Sequence, residues 1–111
     1  MQEFLLDSAV INGDNPVWDA PIPQGYDGKF VVACEFPDFG TSVFAQLWAE
    51  GALSGYREFA PSLEIEPINN NLHTYTLFDS SDLYVCPSYM RVWQLNEYAE
   101  TSVLAKVFLV S

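Results

Sequence analysis

The chain has 111 residues, half of them hydrophobic and 15% aromatic, enough apolar surface for one self-sufficient core over residues 1–111 without metal or disulfide staples. Fifteen acidic residues against Lys29, Arg57, Arg91 and Lys106 give a formal net charge of −11. That charge opposes nucleic-acid binding, which needs cations on phosphates, and opposes docking on anionic membranes. The acidic residues are scattered singly, as on a solvated surface kept soluble by self-repulsion.

The opening MQEFLLDSAV lacks a basic segment and a long apolar run, so it reads as neither signal peptide nor anchor. No stretch reaches the roughly 18 apolar residues of a membrane helix. With only Cys34 and Cys86 and no secretory signal, a pair of reduced, buried thiols is expected rather than a disulfide.

Along the chain, helical periodicity is nearly absent and short apolar runs alternate with turn signals. Phe4-Leu5-Leu6 opens a first strand that ends at Asn12-Gly13-Asp14-Asn15-Pro16. Pro16, Pro21 and Pro23 confine any strand around Val17 to a sheet edge. After the turn at Gly25–Gly28, Lys29 to Phe36 is the clearest strand, with Phe30, Val32, Cys34 and Phe36 on one inward face. In Ser42 to Ala49, Val43, Ala45 and Leu47 alternate with Phe44, Gln46 and Trp48, both faces partly apolar, which predicts a central strand. A helix from Thr41 to Tyr56 competes, but its glycines and paired aromatics oppose it. Further strands are expected at Ser62–Glu66 with Leu63 and Ile65 inward, at Leu72–Phe78, Leu83–Cys86, Tyr89–Leu95 and Ser102–Val110. The last is apolar on both faces, so it lies in a sheet centre or has its second face covered by another protein. About eight or nine short strands at roughly 8 to 12 residue spacing predict an all-β antiparallel sandwich.

Catalytic groupings are missing from the pattern. The single His73 sits within an alternating strand, no nucleophile has a Gly-x-Ser-x-Gly setting, and two cysteines with one histidine cannot complete four zinc ligands. No phosphate-cradling loop is present, and the loops at Gly13-Asp14-Asn15 and Asp79-Ser80-Ser81-Asp82 do not match an EF-hand. No enzyme activity and no cofactor are expected; an enzyme of unknown type is the weakest reading.

Trp48 follows Cys34 by 14 positions, and Asp82-Leu83-Tyr84-Val85-Cys86 has the Asp-x-Tyr-x-Cys form. Over Phe30–Cys86 this resembles the immunoglobulin-like domain, in which a Trp packs on a cysteine pair between sheets and a Tyr pins a corner. The resemblance implies an Ig-like sandwich whose core holds Phe30, Val32, Cys34, Phe36, Leu47, Trp48, Leu63, Ile65, Tyr84 and Cys86. Pro87 directly after Cys86 departs from that pattern.

The order of an opening Leu-Leu-Asp strand, Gly28-Lys29-Phe30-Val31-Val32, Val43-Phe44-Ala45-Gln46-Leu47-Trp48 followed by glycines, and Tyr89-Met90-Arg91-Val92 before an apolar last strand is also similar to small β-sandwich virion proteins of tailed bacteriophages. That resemblance implies a structural capsid decoration, cement or tail protein of the virion. Its partners would be the major capsid or another virion protein and its own copies as a homo-oligomer, with no nucleic acid and no membrane. The contacts expected are Trp18, Phe39, Tyr56, Trp93, Val107, Phe108 and Leu109, since aromatic anchors dominate interfaces. Two alternatives are an acidic nucleic-acid mimic that inhibits a host enzyme, which needs carboxylates clustered on one face, and a carbohydrate-binding module, which needs a flat aromatic platform.

Overall fold

A computed structural model describes residues 2–26, 28–50, 57–80, 83, 86–94 and 101–110. Among the described residues nine strands form: β1 (Glu3–Ile11), β2 (Val17–Pro21), β3 (Lys29–Glu35), β4 (Val43–Glu50), β5 (Arg57–Phe59), β6 (Leu63–Ile65), β7 (His73–Asp79), β8 (Tyr89–Trp93) and β9 (Val103–Val110). No helix occurs among the described residues, and the competing helix from Thr41 is replaced by β4. Leu83 and Cys86 lie outside any strand, so the run expected there does not pair at its described ends.

The strands build two antiparallel sheets, β1-β9-β3-β7 and β2-β8-β4-β5, with β6 also paired to β4. The antiparallel sandwich expected from the strand spacing is therefore what forms. Taking β5 and β6 as one interrupted strand, the pairs β1–β9, β2–β8, β3–β7 and β4–β5/β6 are those of one long hairpin. Rolling it up adds β9–β3 and β8–β4, which is the connectivity of a jelly roll.

Proline marks an edge as expected. β2 carries Pro21 and, among the described strands, pairs only with β8, while β9, apolar on both faces, sits between β1 and β3 in the sheet centre. Two turns depend on left-handed backbone. Gly25 (φ 85°) occupies the third position of a turn closed by Tyr26 N–H donating to the Pro23 carbonyl at 3.2 Å, the type II position that requires positive φ. Asn69 and Asn70 (φ 53° and 61°) form a two-residue type I′ turn between Ile68 and Asn71, closed by a 3.0 Å hydrogen bond.

The core lies between the sheets. From the first sheet come Ile11, Phe30, Val32, Cys34, Phe78, Val103, Ala105 and Val107; from the second, Ala20, Val43, Ala45, Leu47, Ile65, Met90 and Val92. One corner is pinned by Tyr26, whose hydroxyl is 2.8 Å from the carbonyls of both Lys29 and Val110 and whose ring meets Phe30 edge-on at 5.1 Å. Gly28 is required beneath it, because a Cβ there would stand 2.5 Å from the Tyr26 hydroxyl.

Cys34 is buried and Cys86 exposed, both as free thiols. A thiol reagent should therefore titrate one cysteine of two in the native chain and the second only on unfolding; Cys86→Ser should remove the fast reaction. Two fast thiols would contradict the placement of Cys34.

Candidate functional site

Because side chains alternate along a strand, the registers decide which residues reach solvent together. On the outer face of the four-stranded sheet they align Leu5, Phe108, Val31 and Leu77 in one row across β1, β9, β3 and β7. The next rows hold Ser8, Lys106, Ala33 and Tyr75, then Val10, Leu104, Glu35 and His73. Leu5 and Leu77 are each 56% exposed and Tyr75 is 73% exposed. These are large apolar side chains on a sheet face that no described element covers, the kind of patch associated with protein interfaces. At the opposite end the row is Glu3, Val110, Lys29 and Asp79. Two of the four basic residues of the chain thus stand on this face, against Glu3, Glu35 and Asp79, so it is close to neutral in a molecule of net charge −11. His73 Nδ1 lies 3.5 Å from Glu35 Oε1 at its margin.

The outer face of the five-stranded sheet is aromatic. Phe44 and Trp93 stack at 5.6 Å, and Trp48 lies between Tyr89 (6.0 Å, 8° between planes) and Phe59 (5.0 Å). Arg91 stands over both the Trp48 and Tyr89 rings, at 5.0 and 5.4 Å. Asp19 on β2 holds it with a two-point contact, Nε to Oδ1 at 2.8 Å and Nη2 to Oδ2 at 3.0 Å. That hydrogen bond keeps the guanidinium pKa above its ordinary value. The rings face one another and the guanidinium, so this surface is a ladder of stacked side chains and not a flat platform.

The sequence-expected core residues Phe30, Val32, Cys34, Phe36, Leu47 and Ile65 are buried as expected. Three others are corrected. Trp48 belongs to the outer face, since β4 turns Val43, Ala45, Leu47 and Ala49 inward and its neighbours outward. Leu63 is 44% exposed because β6 is a three-residue edge strand paired only with β4. Cys86 is exposed in a loop before the buried Pro87, so Cys34, Trp48 and Cys86 do not assemble the cluster behind the immunoglobulin resemblance. Tyr84 lies outside the described residues.

Among the expected contacts, Phe39 is exposed in the loop between β3 and β4, and Trp93 and Phe108 are half-buried on the two outer faces. Val107 is corrected to a fully buried core residue, because its parity on β9 is that of Val103 and Ala105. Trp18 and Leu109 are half-buried and pack against the core. Tyr56 lies outside the described residues. Leu5, Tyr75 and Leu77, which the sequence reading did not single out, are exposed apolar side chains of the same outer face, and Val31 lies buried between its neighbours in their row. Among the described residues no group of three or more His, Cys, Asp or Glu side chains gathers as metal ligands.

No protein-family model, curated protein or solved structure matches the chain.

Proposed function

We propose that the protein is a non-enzymatic structural component of a virion, a capsid decoration or cement protein that docks on the coat protein through the outer face of its four-stranded sheet. The observation that carries this reading is the apolar row of Leu5, Phe108, Val31 and Leu77 on that outer face, in which Leu5 and Leu77 are more than half exposed and Val31 is buried between its neighbours, extended by the exposed Tyr75. A rigid sandwich with one apolar face and an otherwise anionic exterior suits a protein that must adhere to a shell and remain soluble before it does. Jelly rolls are frequent in viral capsids, an analogy of fold that adds to the reading without deciding it.

Two other readings have less support. In a nucleic-acid mimic the carboxylates would share a face, whereas Glu3, Glu35 and Asp79 lie on one sheet, Asp19 and Glu64 on the other, and Asp14 and Asp38 in loops. A carbohydrate module would offer ring faces to a sugar, and those of Trp48, Tyr89 and Phe44 are turned to their neighbours.

The test is to purify particles from the native source on a density gradient and quantify the chain by antibody and mass spectrometry. It should co-sediment with capsids in many copies per particle and fail to rebind stripped particles when Leu5 and Phe108 are both changed to lysine. A chain confined to the soluble host fraction would overturn the reading.

A further inference from the structure

We propose that β7 is a self-pairing edge, through which two copies of the chain join their four-stranded sheets into one continuous antiparallel sheet. The inference deepens the assembly reading above and rests on it for its purpose, while its geometry stands on β7 alone.

The other sheet edges are blunted in the ways proteins use against edge pairing. β1 carries a register shift between Leu5 and Asp7, β2 contains Pro21, and β5 and β6 are three residues each. β7, His73-Thr74-Tyr75-Thr76-Leu77-Phe78-Asp79, runs seven residues in unbroken register with β3, with no proline, glycine, lysine or bulge. No described strand lies on its other side. An open groove of about 440 Å³ runs beside its first half, between His73–Thr76 and the segment from Glu64 to Asn71.

The direction of its backbone groups follows from the two hydrogen bonds that bracket the β3–β7 ladder. Phe36 N–H donates to the Leu72 carbonyl at 2.9 Å, and Ser80 N–H to the Gly28 carbonyl at 3.2 Å. Both pairs continue the register in which Cys34 faces Thr74. Hydrogen-bonded and non-hydrogen-bonded pairs alternate in an antiparallel ladder, so Thr74, Thr76 and Phe78 bond to β3 and the odd-numbered residues between them point N–H and C=O outward. The His73 N–H is taken up by Asn71 Oδ1 at 2.9 Å, which leaves Tyr75 and Leu77 as the outward-facing pair of donors and acceptors in mid-strand.

A second copy fits these groups in the one register that overlaps the whole strand, with a two-fold axis at Thr76. Tyr75 then meets Leu77 of the other copy in a hydrogen-bonded pair, and the reciprocal pair forms by symmetry. Thr76 meets Thr76, and the His73 imidazole stands opposite the Asp79 carboxylate. Aromatic–aliphatic and Thr–Thr pairs are favourable cross-strand neighbours. Shifting by one residue would set outward-pointing groups against inward-pointing ones. The paired sheets would run the apolar row from Val31 and Leu77 directly into Tyr75 and Ala33 of the second copy, doubling the face assigned to docking.

The test uses the purified full chain. Light scattering should give twice the 12.5 kDa chain mass, persisting in 1 M salt, where charge contacts are screened. Leu77→Pro, which removes an outward N–H without touching the β3 ladder, and Tyr75→Lys should each yield a monomer with an unchanged circular dichroism spectrum. In a Cys86→Ser background, Thr76→Cys should form a disulfide-linked dimer on mild oxidation, because a non-hydrogen-bonded pair places its Cα atoms about 4.5 Å apart; Thr74→Cys should not. A chain monomeric at every attainable concentration, or a dimer that ignores Leu77→Pro and does not cross-link through Thr76→Cys, would overturn the proposal. A monomer that still co-sediments with particles would overturn the edge pairing alone, and a β7-linked dimer absent from particles would overturn the virion reading alone.

Discussion

Replacing Val107 by aspartate is expected to abolish cooperative folding, whereas Leu5→Asp, one strand away, is expected to leave it intact. Val107 has no solvent exposure and lies on β9 between β1 and β3, with Ala105 and Val103 on the same inward face. Aspartate there would lose the transfer energy of the valine and bury a carboxyl group with no described partner among hydrocarbon. The combined cost is about 4–5 kcal/mol or more. Domains of this size have roughly 5–15 kcal/mol in total, so the variant should lose its near-ultraviolet circular dichroism and its urea transition. Leu5 is more than half exposed on the outer face, and its replacement should cost about 1 kcal/mol or less while weakening attachment to particles. A folded Val107→Asp chain would place β9 wrongly. The pair of variants separates the residues that hold the sandwich together from those offered to a partner, although both lie on adjacent central and edge strands.

The second large effect is alkaline. Burial pushes the Cys34 thiol up from 9.0 to about 12, because the thiolate would sit in the core between the sheets, with the Thr74 hydroxyl opposing the shift. The unfolded thiol ionises near its ordinary value while the folded one stays protonated. The unfolded state therefore binds fewer protons above pH 9, and stability must fall as pH rises. The contribution is complete below pH 9 and is lost between 9 and 12, at about 1.4 kcal/mol per pH unit and roughly 4 kcal/mol over the window. Urea denaturation of the chain and of Cys34→Ala across this range isolates the effect, since other ionisations are common to both. The two stability curves should diverge above pH 9, with the cysteine form falling faster; parallel curves would mean that the thiol is not desolvated.

The aromatic ladder on the five-stranded sheet bears on rigidity more than on recognition. Trp48 is held on two sides by Tyr89 and Phe59 and covered by Arg91, which Asp19 fixes in turn. That network ties β2, β8, β4 and β5 together from outside the core. Each sheet is thus stiffened differently, one by stacked rings on its outer surface and the other by a central strand apolar on both faces.

Strand content and sandwich class follow from local pattern: alternation at period 2, prolines at Pro16 and Pro21, and turn residues at Asn12–Asn15 act within a few residues and need no tertiary partner. The same is true of the inward face of β3, where Phe30, Val32 and Cys34 leave no choice of parity. Local pattern also forbids Leu47 and Trp48 from sharing a face, a constraint already present in β4 that the expected core violated. What the sequence could not determine is parity where both faces are plausible, and pairing between distant strands. In β7 the tyrosine and leucine turn out to solvent while Thr74 and Thr76 turn in, because register with β3 sets the facing and outweighs hydropathy. In β9 the choice between Val107 and Phe108 as the core residue was made by the strands on either side. The jelly-roll order, the apolar row across four strands and the open edge of β7 exist only once residues as far apart in sequence as Glu3 and Val110 are set side by side. Hydrogen-bond register, a property of pairs of strands, is the quantity that no single stretch of sequence carries.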